Sequence, residues 1–229
     1  MRDIEFVTGE YYHLYNRGVD RRTIFQTPAD FSRFYESLYL FNDANYKHIS
    51  GDELNKAVLL SGHEVFSMDR DPFVKILLFC LMPNHYHLFV QQLKDGGISR
   101  LMHKMKGYSR YFNLINERTG ALFEGEFKAK HVDNDAYFKH LAIYIHSNPL
   151  DLIGINWKEG DVLDWPKARD FLDSYPWSSH QAWIQNDQSY PVIDQASFSD
   201  FFDGMDDYFE VLKSWMGRDL IVKIESVTE

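Results

Sequence analysis

Cysteine is almost absent from this sequence, because Cys80 is the single one among 229 residues. A lone cysteine excludes an internal disulfide, and its apolar surroundings favour a small buried residue over a nucleophile. No run of about eighteen apolar residues is present, so a membrane partner is not expected. The first five residues also lack a secretory signal pattern. These absences predict a cytoplasmic protein.

Internal repeats and low-complexity segments are missing as well, whereas aromatic residues make up 16% and hydrophobic residues 45% of the chain. That content is sufficient for a packed core and excludes wholesale disorder. The length suits one domain with an appendage. We therefore expect a main domain over residues 1–158 and an acidic extension over residues 159–229 that packs on it.

Negative charge is distributed unevenly along the chain, whose formal net charge is −10. Residues 159–229 hold 15 acidic and 5 basic side chains, while residues 1–158 hold 19 of each. Within the main domain, residues 100–131 hold seven Lys or Arg side chains against three Glu. An anionic nucleic-acid backbone could bind there, although most such runs are solvated helix faces.

The hydrophobic periods predict an alternating order of strands and helices in the main domain. Strands are expected over about 10–16, Phe73–Leu81, His85–Gln92 and the strand-like run Leu122–Val132. Helices are expected over about 29–42, 99–117 and Ala136–Ser147. The first six elements match a ferredoxin-like split βαβ fold, in which a four-stranded antiparallel sheet carries helices on one face. The prediction is an α+β fold with one extra helix and a mostly helical C-terminal extension.

Two histidines stand one residue apart at the start of the third predicted strand. Because side chains alternate along a strand, His85 and His87 share one face and Tyr86 takes the other. Two imidazoles whose Cα atoms are about 6–7 Å apart can bind one divalent ion. A strand face that simply packs two histidines is an equally good explanation of the spacing.

Tyr144 and Asn148 lie four residues apart, so they share one face of the last predicted helix. That face is offset from the apolar stripe, and we expect both side chains to lie outside the core. A tyrosine can form a covalent intermediate when a metal or base assists it. The carboxamide oxygen of Asn148, with the two histidines, would suit Mg²⁺ or Mn²⁺ acting as a Lewis acid. Taken singly, such a tyrosine and such an asparagine are more often structural.

Several segments together match one known family in order and spacing. They are Met82–Leu88 (MPNHYHL), Gly120–Lys128 (GALFEGEFK) and Tyr144–Pro149 (YIHSNP). Tyr12–Gly18 and Trp177–Ser179 resemble the opening strand and the C-terminal signature of the same family. Over about residues 6–182 the sequence resembles the HUH-type single-tyrosine transposases, specifically the branch of REP-associated tyrosine transposase-like proteins among the IS200-like transposases.

The resemblance implies an endonuclease with a ferredoxin-like fold that acts on single-stranded DNA, often at a hairpin. By position, His85 and His87 would be metal ligands and Tyr144 the nucleophile, leaving a 5′-phosphotyrosine and releasing a 3′-hydroxyl. Insertion-sequence relatives tend to have glutamine four residues after the tyrosine, where this chain has the shorter Asn148 as the candidate third ligand. Tyr108 and Tyr111 stay open as alternative nucleophiles.

Basic side chains of residues 100–131, together with an arginine on the turn after the first strand, are the expected DNA contacts. They are Arg17, Arg100, Lys104, Lys106, Arg110, Lys128 and Lys130. The favoured function is metal-dependent cleavage and joining of DNA strands. A non-catalytic module that holds hairpin nucleic acid and an ordinary metal hydrolase are the alternatives. A monomer is favoured over a homodimer, because the extension could cover a dimer surface.

Overall fold

The computed structural model describes residues 4–46, 70–159, 162, 164–185 and 192–215. Four strands form one antiparallel sheet: β1 (Tyr11–Arg17), β2 (Val74–Met82), β3 (His85–Gln92) and β4 (Lys128–Val132). Their spatial order is β2-β3-β1-β4, which is the order that a split βαβ fold requires. The predicted α+β architecture is confirmed.

The helices of the described residues follow the predicted order with one difference. They are α1 (Pro28–Phe41), α2 (Gly97–Met105), α3 (Gly107–Ile115), α4 (Asp135–Ser147), α5 (Trp165–Ser174), α6 (Ser179–Gln185) and α7 (Met205–Trp215). None of these helices has the length and apolar character to span a membrane.

The prediction of a single helix over residues 99–117 is wrong, because the chain forms two helices there, α2 and α3. At their junction Lys106 N donates to His103 O in a tightened turn, and Gly107 follows, the residue that least favours a helix interior after proline. The strand expected from Leu122 begins only at Lys128. The segment before it instead bonds to the end of β1 and the turn that follows. Glu124 N donates to Arg17 O at 2.9 Å, and Val19 N donates to Leu122 O at 3.0 Å.

The two faces of the sheet are covered by different helices. On one face Tyr86 of β3 packs against Phe34 of α1, with ring centroids 5.0 Å apart, and Phe34 contacts Tyr108 of α3. On the other face Phe89 of β3 meets Phe138 of α4 at 4.8 Å. Since side chains alternate along β3, its histidines lie on the α4 face.

Helix α4 is buried towards the sheet and also towards the extension. Tyr144 is 6% exposed, His146 0% and Asn148 1%. The expectation that Tyr144 and Asn148 lie outside the core is therefore wrong. The reason is that the Tyr144 ring packs against His87 of the sheet and against Trp157, with centroids 5.4 and 5.8 Å apart. The extension covers the opposite side of α4, where the Tyr208 hydroxyl of α7 lies 2.8 Å from His146 Nδ1.

A buried set of polar side chains, here called the tail network, ties α4 to the sheet and to the extension. It comprises Asp173, His180, Tyr208, His146 and Ser179. The Tyr208 hydroxyl lies 2.6 Å from His180 Nδ1, and His180 Nε2 lies 2.8 Å from Asp173 Oδ1. Ser179 Oγ lies 2.7 Å from His146 Nε2 and also bonds to the backbone of β2. Because these groups bond to one another, their hydrogen bonds offset the free-energy cost of burying them.

The extension also bonds to the outer edge of β2. Leu81 N donates to Trp177 O at 2.8 Å, and the Tyr175 hydroxyl donates to Leu81 O at 2.7 Å. Further along the strand, Asp194 N donates to Ile76 O at 2.8 Å. The described part of the extension thus shares the core of the main domain, while a domain boundary at residue 158 stays a prediction.

We expect Tyr208→Phe to lower the free energy of unfolding by about 1–3 kcal/mol, since it removes the hydroxyl shared by His146 and His180. Urea unfolding followed by circular dichroism measures this loss. The matched control is Tyr137→Phe at a half-buried position of α4, with an expected change below about 0.5 kcal/mol. Equal losses in both variants would contradict a stabilising role of the tail network.

Candidate active site

A cleft of about 390 Å³ opens on the α4 face of the sheet. His85 and His87 line it from β3, and Tyr144 and Asn148 line it from α4 and the turn that follows. The Tyr144 ring stands edge-on to the His87 ring, with centroids 5.4 Å apart. The structure therefore brings together the four residues that the sequence predicts as nucleophile and metal ligands.

Asn84 and Asn148 orient the His85 ring. Asn84 Oδ1 lies 2.6 Å from His85 Nδ1, so Nδ1–H can donate to it, while Nε2 faces Asn148 Oδ1 at 3.2 Å. The amide of Asn148 is itself fixed, because its Nδ2 donates to Tyr144 O at 2.6 Å. One imidazole nitrogen and one carboxamide oxygen consequently face each other in the cleft.

The His87 ring has a different partner behind it. His87 Nδ1 lies 2.9 Å from His13 Nε2 of β1, whereas His87 Nε2 is buried with no hydrogen-bond partner among the described residues. A buried imidazole nitrogen without a partner fits a metal ligand, since leaving it unpaired costs free energy.

Two imidazole nitrogens and one carboxamide oxygen form a donor set that fits Mg²⁺ or Mn²⁺. In the part of the chain that the structure describes, no three His, Cys, Asp or Glu side chains gather as a metal site. If the two histidines bind a metal ion, Asn148 would be the third protein ligand, and phosphate oxygens or water would complete the coordination.

Burial keeps the histidines neutral. Desolvation lowers the pKa of His85 to about 4, and desolvation together with the nearby His85 and His13 lowers the pKa of His87 well below its ordinary value. Desolvation and the charge of Lys130 lower the pKa of His13 to about 3. Neutral imidazole is the form that binds a metal ion, so binding of an ion here would not require these histidines to lose a proton first.

Cationic side chains surround the cleft and are balanced in part by carboxylates. The cations are Arg17, Arg21, Lys128 and Lys158. Arg17 Nε lies 2.9 Å from Glu124 Oε1, and Lys158 Nζ lies 3.3 Å from Asp151 Oδ2. Lys128 is exposed, and its Nζ lies 5.9 Å from the centre of the Tyr15 ring. The rim can therefore receive a phosphate chain, with an aromatic ring beside it.

The predicted DNA contacts are divided between the two faces of the sheet. Arg17 and Lys128 line the cleft, and Lys130 lies on the same strand face with its Nζ buried, where desolvation and the neighbouring Lys128 lower its pKa to about 8. The other four lie on or between α2 and α3, over the opposite face: Arg100, Lys104, Lys106 and Arg110. The seven cations do not form one surface.

The four helix-side cations have different surroundings. Arg100 and Arg110 are exposed, and Lys106 lies 3.8 Å from Glu126. Lys104 Nζ donates to Asp43 O at 3.2 Å and is drawn towards the protein surface. Their role in DNA binding stays a prediction.

The alternative tyrosines lie away from the histidine pair. The buried Tyr108 hydroxyl donates to Ile24 O at 2.5 Å, and burial raises its pKa. Tyr111 packs near Arg33, and burial raises its pKa too. Both stand on α3, over the opposite face of the sheet, whereas Tyr144 lines the cleft.

Sequence reasoning missed His13 and Asn84 as partners of the two candidate ligands. Asn84 directly precedes His85, so its position in the turn was an available signal. His13 shares a strand face with Tyr15 by alternation, but the sequence gives no indication that this face pairs with His87. Only the register of β1 against β3 places the two histidines together.

The fold and this cleft define an α+β protein in which a helix-borne tyrosine faces a histidine pair. Residues 52–148 match the family described as transposase IS200-like, and this segment includes the histidines, Tyr144 and Asn148. The resemblance to IS200-like transposases is thereby confirmed over that segment.

A solved structure described as a REP-associated tyrosine transposase bound to a REP hairpin has a similar fold. The two chains are 13% identical, the TM-score is 0.50, and the match covers 81% of this chain and 85% of the other. At that identity the likeness shows the fold. No curated protein sequence matches this chain.

We expect the metal-free protein to lose stability as pH falls from about 6.5 towards about 4. The pKa of fully buried His13 is about 3 in the fold against 6.5 ordinarily, so the unfolded chain takes up its proton first. Such a histidine removes up to about 1.4 kcal/mol per pH unit in this window. Urea unfolding at about pH 7, 6 and 5 measures the slope. A flat profile would contradict the burial of neutral imidazoles.

Proposed function

We propose that this protein is a metal-dependent, tyrosine-mediated nucleotidyl transferase that cuts and rejoins single-stranded or hairpin DNA. The observation that carries the proposal is the placement of Tyr144 against the His85–His87 pair in a cleft with a cationic rim. The family match supports a transposase-type activity on DNA. The similar solved structure, which is bound to a REP hairpin, supports a hairpin as the DNA form.

In the proposed reaction, the Tyr144 hydroxyl attacks the scissile phosphate. A bond forms between the phenolic oxygen and phosphorus, and the bond from phosphorus to the 3′ oxygen breaks. The phenol loses its proton and the leaving 3′ oxygen gains one, so the products are a 5′-phosphotyrosine and a free 3′-hydroxyl. Attack by a 3′-hydroxyl on the phosphotyrosine reverses the step and joins strands.

The chain's own residues position this reaction. His85, His87 and Asn148 would hold Mg²⁺ or Mn²⁺, which when bound supplies Lewis-acid stabilisation of the charge on the phosphate. Arg17 and Lys128 would bind neighbouring phosphates at the rim of the cleft. The helix-side cations Arg100, Lys104, Lys106 and Arg110, and Lys130 on β4, would contact more distant parts of the DNA. We expect a monomer acting in the cytoplasm.

One observation favours a second candidate function, a module that binds hairpin nucleic acid without cutting it. Tyr144 is 6% exposed, and its ring centroid lies 5.8 Å from that of Trp157, so little of the side chain is accessible to a phosphate. A tyrosine that never reaches a phosphate would leave a binding protein with the same cationic rim. The experiment below distinguishes the two.

Tyr144→Phe should abolish a covalent protein–DNA product, because it removes the attacking oxygen and keeps the ring. The assay incubates hairpin DNA from the flanks of the gene, labelled at the 5′ or 3′ end, with protein and Mn²⁺ or Mg²⁺. We expect a denaturant-resistant band that carries only the 3′-end label with the wild type. Tyr111→Phe, on the opposite side of the sheet, is the matched control and should retain the band.

The remaining outcomes separate the candidate functions. A band that survives in Tyr144→Phe would move the nucleophile to another tyrosine, and cleavage without any covalent product would indicate a metal hydrolase. Tight binding with no cleavage under either ion would leave the binding module.

Lys128→Ala should weaken DNA binding at low salt and reduce the slope of log K against log salt by about 1, because one phosphate contact is lost. Fluorescence anisotropy with a labelled hairpin over a salt series measures both effects. Lys213→Ala, exposed on α7, is the matched control and should change neither. An unchanged slope in Lys128→Ala would contradict a phosphate contact at the cleft rim.

A further inference from the structure

One buried contact that the proposed reaction does not use lies behind the histidine pair. His13 of β1 is 0% exposed, and its Nε2 lies 2.9 Å from Nδ1 of His87. The two rings are nearly parallel, with centroids 5.1 Å apart and an interplanar angle of 23°. Two adjacent buried imidazoles need a hydrogen bond between them. In this bond one ring donates an N–H and the other accepts it at a bare nitrogen.

A neutral imidazole carries one N–H and one bare nitrogen, and only the bare nitrogen can bind a metal. If the proton of His87 is on Nδ1, it donates to His13 Nε2 and leaves Nε2 bare at the cleft. If the proton is on Nε2, His13 donates its own Nε2–H to His87 Nδ1 instead. Each arrangement leaves one buried N–H without a partner among the described residues, on His13 Nδ1 in the first case and on His87 Nε2 in the second. A divalent ion at His87 Nε2 selects the first arrangement, in which His13 Nε2 is the acceptor.

His85, the other candidate ligand, also has an acceptor at its Nδ1. The orientation of this acceptor is fixed by a second hydrogen bond. His85 Nδ1 faces Asn84 Oδ1 at 2.6 Å, and Asn84 Nδ2 donates to Arg21 O at 3.4 Å, so the amide oxygen is the atom turned to the ring. Each candidate ligand thus has an acceptor behind Nδ1 and its Nε2 towards the cleft. His13 therefore lies at Nδ1 of His87 in the same way that Asn84 lies at Nδ1 of His85.

We propose that His13 is a positioning residue, whose Nε2 accepts the Nδ1–H of His87 and so holds His87 in the tautomer that binds the divalent ion. This inference rests on the metal site of the proposed function. The His13 ring is kept in place by full burial and by stacking on Tyr15, with centroids 4.9 Å apart. An acceptor that cannot rotate away fixes the orientation and tautomer of the ligand ring, as carboxylates and carbonyls do at other metal sites.

The first test uses the protein saturated with Mg²⁺, which is diamagnetic. Two-bond ¹H–¹⁵N correlation spectra distinguish the two tautomers of each histidine. We expect both His87 and His13 in the Nδ1–H form in the wild type, because His13 Nε2 must be bare to accept. His13→Phe, which keeps a ring but removes the acceptor, should shift His87 towards the Nε2–H form, whereas His13→Gln, whose side-chain oxygen can accept, should retain it. A wild-type His87 in the Nε2–H form would overturn the proposal.

The second test measures Mn²⁺ affinity by electron paramagnetic resonance of the free ion. His13→Phe should bind Mn²⁺ about 10–100-fold more weakly, and His13→Gln should recover most of the loss. His131→Phe is the matched control, because His131 is exposed on β4 and contacts Glu10 instead. Circular dichroism confirms that each variant is folded.

The outcomes separate this proposal from the proposed function. Equal Mn²⁺ affinity in His13→Phe and the wild type would overturn the role of His13 alone. A wild type that binds no Mn²⁺ would overturn the metal site, and the role of His13 with it. Equal losses in His13→Phe and His13→Gln would indicate a packing role and would also overturn the proposal.

Discussion

The register between β1 and β3 is the constraint on which the site depends. In this pairing Tyr15 lies opposite His87 and Arg17 lies opposite His85. Alternation then places His13 and Tyr15 on the same side of the sheet as the two β3 histidines. A slip of one residue would turn the β1 side chains to the other face and remove the partner of His87. The hydrogen-bonded strands thus fix both the candidate ligands and the group behind one of them.

Burial of this polar face depends in turn on α4 and on the extension. Tyr144 lies beside the histidines because Phe138, in the first turn of the same helix, packs on Phe89 and holds the helix against the sheet. The tail network then holds the outer side of the helix through His146, two residues after Tyr144. Polar groups therefore lie on both sides of α4. Those of the tail network bond to one another and stabilise the fold, and Tyr144 on the opposite side lines the cleft.

The strands and helices of the main domain could be predicted from periodicity and turn residues. β3 has the predicted bounds, because the Pro83–Asn84 turn and the alternation beyond it are strong local signals. The strand predicted from Leu122 was wrong for a reason of tertiary structure, because its first residues bond to the end of β1 and the turn after it instead of extending β4. Local sequence does not contain that partner.

The candidate site was predictable in its residues but not in its environment. His85, His87, Tyr144 and Asn148 meet in one cleft, as their spacing and the family resemblance indicated. Their burial was not foreseen, because it follows from the packing of α4 on the sheet and on Trp157, and the local sequence does not contain those partners. His13 was missed for a similar reason, since it is distant in sequence and reaches His87 only through strand pairing.

The bonds between the extension and β2 have a consequence for association of the sheet with other chains. β2 is an edge strand, and an unpaired edge offers its backbone groups to any extended segment. Here Trp177, Tyr175 and Asp194 occupy groups along that edge, in place of a further strand. The opposite edge, β4, is short and carries Lys128 and Lys130, which disfavour pairing by charge. The acidic extension thus serves as an edge cover, and a shortened chain ending near residue 158 would expose a template for strand addition and aggregation.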